Sequence, residues 1–343
     1  VGSEMCIRDR IERSGSKNVG LIIPGTNNDR ILKIAPGDNI PSAGLKYKEQ
    51  IEMALIGNTV KPKKLVVAFS GVDHAEIDDA LNALADENVS YAAVSTQTET
   101  VASKVVSWVK EQREIGKNIK AVLPENTADN EAVINFSTES VSIVDKSYTA
   151  EQFCARMAGL FAGTPITESA TYAVLPEATD CTRMSKKEMD SAIDAGKLIL
   201  FYEDGEVRVA RAVNSFTTKT DEKGDQYKKI KLVDIMDTIK SDLRSTIRNE
   251  WIGKKANTYD NKCLLISAIQ GYMDDLVLQN VLESATVEID INGNKQYLEQ
   301  NGVDATDMSS DDIKKANTGD KVYLVANIKM NDAIEDVTLE ISI

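Results

Sequence analysis

Between Lys64 and Pro124 the chain alternates short apolar runs with amphipathic stretches, and that alternation leaves few folds open. KLVVAF (64–69), VSYAAV (89–94) and KAVLP (120–124) are β-rich, whereas AEIDDALNALADE (75–87) and TVASKVVSWVKEQREIG (100–116) carry apolar residues at helical spacing. Strands separated by helices of this length are crossover units, and they predict a mostly parallel sheet. NVGLII (18–23), closed by Pro24 and Gly25, and AVINF (132–136) read as further strands, and 45–56 as an amphipathic helix. VSIV (141–144) leads to a helix over about 150–162, which the Gly163 to Pro165 step ends because neither residue continues a helix cheaply.

From Met184 the pattern changes. A short helix (185–195) is followed by KLILFYEDGEVRVARAVNSFTT, which predicts a hairpin about Asp204 and Gly205. Leu232, Ile235, Met236, Ile239, Leu243, Ile247 and Trp251 then recur at threes and fours, the mark of a long helix with one buried face. A second long helix is expected over 259–276, then a strand (285–291), a turn at Asn292–Gly293, a short strand and an acidic stretch (304–312). The expectation is therefore an α/β domain with a mostly parallel sheet, followed by an α+β domain with two long helices and a mixed or antiparallel sheet.

Residues 322–343, VYLVANIKMNDAIEDVTLEISI, read as two alternating strands about a short turn. Val337, Leu339, Ile341 and Ile343 share one face of the second, with Thr338, Glu340 and Ser342 on the other, the pattern of a strand with one buried side. Either an intramolecular hairpin with 321–330 about Asn331 and Asp332, or exchange between subunits, satisfies it, and a mixed sheet accommodates both.

Catalytic chemistry finds little support. His74 is the one histidine, in FSGVDHAEID at a strand-to-helix junction where Asp73 is a natural helix cap; an exposed first-turn residue explains it at least as well as a catalytic centre. No GxSxG elbow, Walker sequence or GxGxxG follows any strand. YMDDL (272–276) falls on a helical stripe and reads as solvated carboxylates, DINGN (290–294) lacks the rest of a calcium loop, and NVS (88–90) matters only in a secreted chain. Cys6, Cys154, Cys181 and Cys263 have no CxxC spacing and read as small buried thiols. No cofactor and no metal is expected.

Asp and Glu outnumber Lys and Arg by 54 to 40, giving a formal charge of −14, which argues against a nucleic-acid partner. No run reaches the roughly 18–20 apolar residues of a membrane helix, and no signal-peptide pattern opens the chain, so no membrane partner and folding in the cytoplasm are expected. VGSEMCIRDR (1–10) fits nothing that follows and resembles a translated adapter sequence, so the natural start is expected to be missing.

Three stretches resemble a known family. YTAEQFCARMAGLFAGTPITESATYAVLPEATDC (148–181), KLILFYEDGEVRVARAVNSFT (197–217) with the long helix after it, and the closing DAIEDVTLEISI are similar to contractile-phage tail sheath proteins, the compact Gram-positive prophage type in particular. The resemblance runs from about Asn18 to Ile343, and its most specific parts are the AGxxAGTP helix end and the LxxxxGxVxVxRxVNSxT hairpin. It implies a structural subunit that polymerises around a tail tube and contracts to drive the tube through the target envelope. It implies a subtilisin-like but non-catalytic architecture over 64–175, within a sheath domain spanning 11–182 and a C-terminal assembly domain spanning 183–343. It also implies that N- and C-terminal arms add strands to a sheet of an adjacent subunit, which makes Val337, Leu339, Ile341 and Ile343 candidates for that joint. With the N-terminal arm replaced by the adapter-like decapeptide, assembly of this chain by itself is expected to be impaired.

The implied partners are further copies of the chain, the tube protein, and baseplate and tail-terminator proteins, in the virion tail and, during assembly, the host cytoplasm. On the long helix, Lys231, Lys240, Arg244, Arg248, Lys254 and Lys255 are basic in an acidic protein; Lys240, Arg244 and Arg248 are the expected tube contacts, against the alternative of a solvated polar face. Two other functions compete: an α/β hydrolase-like enzyme using His74, and another self-assembling tail or baseplate protein.

Overall fold

A computed structural model describes residues 17–27 and 29–341; VGSEMCIRDR, with Cys6, and Ile343 lie outside the described residues. Two compact units are present, residues 17–237 with 333–341, and Thr238–Asp332. In the first, the chain runs β1 (Asn18–Ile23), β2 (Ile31–Ile34), α1 (Lys48–Ala54), β3 (Lys64–Phe69), α2 (Ile77–Ala85), β4 (Tyr91–Val94), α3 (Glu99–Glu114), β5 (Lys120–Pro124) and β6 (Val133–Phe136). There follow β7 (Ser140–Ile143), β8 (Lys146–Thr149), α4 (Ala150–Ala162), β9 (Asp180–Cys181), α5 (Lys186–Asp194), β10 (Lys197–Leu198), β11 (Leu200–Glu203) and β12 (Glu206–Val209).

Seven strands form one sheet in the order β10-β6-β5-β4-β1-β3-β2, with every neighbouring pair parallel except β2 with β3. Both faces are covered, which is why its strands are apolar without alternation. Ile22, Val66 and Ala68 point to the face packed by α2 and α3, whereas Leu21, Ile23, Val67 and Phe69 point to the face packed by α1 and α4. α4 starts on a capping box between Thr149 and Gln152 and is buried at every position from Phe153 to Ala162.

The AGxxAGTP sequence that ends α4 is a packing device. A Cβ on Gly159 would stand 2.2 Å from the Ala54 carbonyl oxygen, and one on Gly163 2.1 Å from that of Val60. Gly163 has a right-handed φ of −92°, so it is there to let backbone approach backbone rather than to adopt a left-handed cap. Buried Arg156 completes the seam, donating from Nη1 to the Gly57 carbonyl at 2.8 Å and pairing through Nε with Glu177.

The domain boundary expected after residue 182 falls inside this unit. β10 extends the large sheet, and the β11–β12 hairpin, turning on Asp204 and Gly205 at φ 50° and 89°, buries Leu200, Val207 and Val209 in the same core. The long helix α6 (Ile230–Glu250) begins in this unit and ends in the other. Its first turns are held by buried charges. Lys120 Nζ lies 2.8 Å from Asp234 and 2.5 Å from Asp237, Lys17 Nζ is 2.6 Å from Asp234, Tyr91 donates to Asp234 at 2.7 Å, and Arg113 makes a bidentate pair with Asp237 at 2.9 Å. Burial pushes the Asp234 carboxyl up, but Lys120 and Lys17 outweigh it and hold the group well below the usual carboxylate range.

The second unit holds the end of α6, then α7 (Tyr259–Leu278), β13 (Leu282–Ile289), α8 (Ile291–Gln300), α9 (Ser310–Lys315) and β14 (Leu324–Met330). β13 and β14 make a two-stranded antiparallel ribbon, and α7 packs on β13 through Leu265, Ile269, Tyr272, Met273 and Leu276. The Asn292–Gly293 turn between strands is corrected: those residues lie in the first turn of α8. Asp290 caps that helix, accepting from the Gly293 amide at 3.0 Å, and Asn294 and Leu298, one turn apart, are buried.

Candidate assembly site

β14 pairs with β13 along one edge, from Leu282 opposite Met330 to Ile289 opposite Leu324. Alternate amides and carbonyls of each strand therefore point away from the ribbon, and Val325 and Ile328 are 39% and 38% exposed. A pair of strands alone is marginal in water, and this one is supported by α7, which packs on β13.

The closing segment has no regular secondary structure. Among the described residues, 333–341 belong to no strand, so the hairpin with 321–330 about Asn331 and Asp332 is not present, and the one strand paired with β14 is β13. Val337, Leu339 and Ile341 are 81%, 76% and 76% exposed. Full burial of such side chains is worth about 1.5–3 kcal/mol each, a large unmet driving force. Ile343 lies outside the described residues.

Where that segment begins, three side chains hold it through four hydrogen bonds. Glu335 accepts hydrogen bonds from Thr171 Oγ1 at 2.8 Å, Arg211 Nη1 at 2.8 Å and Lys229 Nζ at 3.0 Å, and Asp336 accepts one from Arg211 Nη2 at 2.5 Å. Burial raises the Glu335 carboxyl, but the bonds from Thr171 and Lys229 and the Lys229 charge bring it below its ordinary value. Sequence reasoning missed this cluster. The one signal was the arginine of the VxRxVNSxT hairpin, Arg211, which is two residues past the strand it follows.

Lys240, Arg244 and Arg248 are all exposed, on one stripe of α6, and Lys254 and Lys255 beyond the helix are exposed as well. Lys231, placed with them from sequence, is buried. It stands in the first turn of α6, beside the charges that dock the helix.

His74 is also buried, 7% exposed, where an exposed first-turn residue was expected. Gly71, Asp73 and His74 all have left-handed φ (75°, 50° and 60°), which turns the imidazole back onto the end of β3. Asp73 does not cap α2, whose cap position is Glu76. The ring's Nδ1 sits 2.6 Å from Ser70 Oγ and its Nε2 3.0 Å from Thr96 Oγ1. A Ser-His relay needs a carboxylate on the nitrogen away from the serine, and that place is held by a hydroxyl. Asp274 and Asp275 of YMDDL lie on α7, exposed and half-buried, and no cluster of metal-ligating side chains occurs among the described residues. Cys154 and Cys181 are buried, the latter thiol pushed up to about 11 chiefly by burial; Cys263 is half-buried.

Family models match most of the chain after β3: the phage tail sheath protein central domain over residues 70–215 and the phage tail sheath C-terminal domain over 222–343. The tail sheath protein of Clostridium phage phiCD119 is 37% identical over 96% of this chain and 94% of its own length.

The chain belongs to the phage tail sheath family.

Solved structures share the fold. The sheath tail protein of Listeria innocua superposes with a TM-score of 0.72 over 85% of this chain and 93% of that one, at 16% identity; that of Desulfitobacterium hafniense gives 0.69 over 80% and 90%, at 18% identity. The contracted helical sheath of the anti-feeding prophage gives 0.68 over 95% and 93%, at 14% identity. This sheath protein is therefore a structural subunit of a contractile virion tail, and the hydrolase reading of His74 falls with the family assignment.

Proposed function

We propose that the sheath forms by strand exchange: residues 337–341 of one copy add to the open β14 edge of an adjacent copy, with Val337, Leu339 and Ile341 as the buried face. The observation that carries this is a pairing of opposites in one chain: a ribbon that holds two strands among the described residues, and an exposed apolar segment outside every strand. Such a joint rests on main-chain hydrogen bonds, so it tolerates large rotations of the bodies it connects. The wrapped partner is the tube protein, docked through the exposed Lys240, Arg244 and Arg248 in a salt-sensitive contact with acidic residues. Baseplate and tail-terminator proteins close the two ends, and assembly takes place in the host cytoplasm.

Alternate amides of an added strand face its partner, so Thr338→Pro and Leu339→Pro, tested separately, bracket the joint. In cells co-expressing the neighbouring tail genes, at least one should leave the chain soluble, folded and absent from sedimenting sheath. Wild-type incorporation by both overturns the proposal. Arg244→Glu with Arg248→Glu should abolish recovery on tubes while the thermal transition stays put; unchanged recovery removes the tube contact.

A further inference from the structure

We infer that Glu335 and Asp336, gripped by Arg211, Lys229 and Thr171, are the fixed root of the C-terminal arm, through which load on the exchanged strand passes into the sheet-bearing unit. The inference rests on the strand-exchange reading and adds to it the residues that carry the load.

Exposure along the arm is uneven in an informative way. Ile334, Val337, Leu339 and Ile341 are at least 76% exposed, yet the Glu335 side chain between them is 10% exposed. An apolar residue is turned out and a carboxylate in, the reverse of what water favours, so the segment is positioned by its ionic contacts. The contacts also reach well into the fold. Thr171 Oγ1 accepts from the Ala212 amide at 3.0 Å while donating to Glu335, and Arg211 and Lys229 flank the chain that runs from β12 into α6, where Ile230 donates to the Ala212 carbonyl at 3.0 Å. Three donors on one carboxylate, with a second carboxylate on the same guanidinium, fix direction as well as place. The chain crosses from the ribbon unit to the sheet unit at Asp332 and Ala333, so the grip sits directly after the crossing. Pull on residues 337–341 meets Glu335 before it meets β14 of the same chain.

The test uses the full chain co-expressed with its neighbouring tail genes. Glu335→Gln with Asp336→Asn removes the charges and keeps the shape. Hydrogen exchange in the unassembled protein should show protection at 333–336 lost at least tenfold with the thermal transition unmoved, and sedimenting sheath should fall at least tenfold. Glu335→Arg alone, which sets a cation against Lys229 and Arg211, should do the same. Wild-type sheath yield from the Gln/Asn variant, with at least one of Leu339→Pro and Thr338→Pro losing sheath, overturns the root and leaves strand exchange standing. Wild-type yield from all of these overturns strand exchange, and the root with it.

Discussion

Asp234→Ala is the most informative change to the body of the subunit, because it tests whether α6 is docked by charge. Asp234 is 6% exposed and takes Lys120, 2% exposed, together with Lys17 and the Tyr91 hydroxyl. Removing one member of a buried ion pair leaves a charge without compensation and costs about 3–5 kcal/mol. Lys120 keeps Asp237 at 2.5 Å, which places the expected loss toward the lower end, about 3 kcal/mol. For a unit of this size that is a fall in Tm of roughly 6–12 °C. With two units the whole-chain melt is not two-state, so hydrogen exchange at β4 and β5 is the assay, read beside calorimetry. Lys120→Met in the same background should recover more than half of the loss, since an apolar replacement of a buried pair is often neutral. The pH dependence has a definite sign. A carboxylate depressed by folding contributes stability that is present above its unfolded pKa of about 3.9 and lost as pH falls through the folded value. The variant should therefore show a shallower acid limb. A loss below about 1 kcal/mol, with no coupling between positions 120 and 234, would refute the claim that buried charge seats the helix.

Gly163→Ala should cost at least about 2 kcal/mol by forcing α4 from the Val60 carbonyl, whereas Gly271→Ala, with nothing within 4 Å of its new Cβ, should stabilise α7 by up to about 1 kcal/mol. Urea denaturation followed by circular dichroism separates the two signs. His74→Ala should leave sheath incorporation unchanged while lowering stability by about 1–2 kcal/mol, from its lost hydroxyl bonds and an alanine held at φ 60°. Burial holds His74 below its ordinary pKa, so in the wild type stability should fall as pH drops below about 6.5 through the folded value, and that slope should vanish in the variant.

The alternating α/β pattern was readable because its strands are buried on both faces. KLVVAF and KAVLP have few alternatives, and NVGLII coincides with β1. β2 (ILKI) and β8 (KSYT) were invisible: each is four residues long and half-buried or polar, held by neighbours rather than by its own composition. DINGN misled because Asn-Gly is a strong hairpin signal, and the cap from Asp290 that starts α8 outweighs it. In the candidate site, the apolar alternation of residues 337–341 was legible, but among the described residues these belong to no strand, because the segment has no strand of its own chain beside it. The grip on Glu335 was beyond reach, because it joins residues 164, 124 and 106 positions apart whose types alone give no sign of meeting.

The most direct test of the sheath assignment is electron microscopy of the full chain co-expressed with its neighbouring tail genes, with the chain labelled. The account predicts label along a helical cylinder that surrounds the tube and shortens on contraction, and the loss of that cylinder in at least one of Thr338→Pro and Leu339→Pro. Bare tubes, with the wild-type chain left as soluble monomer, would contradict it.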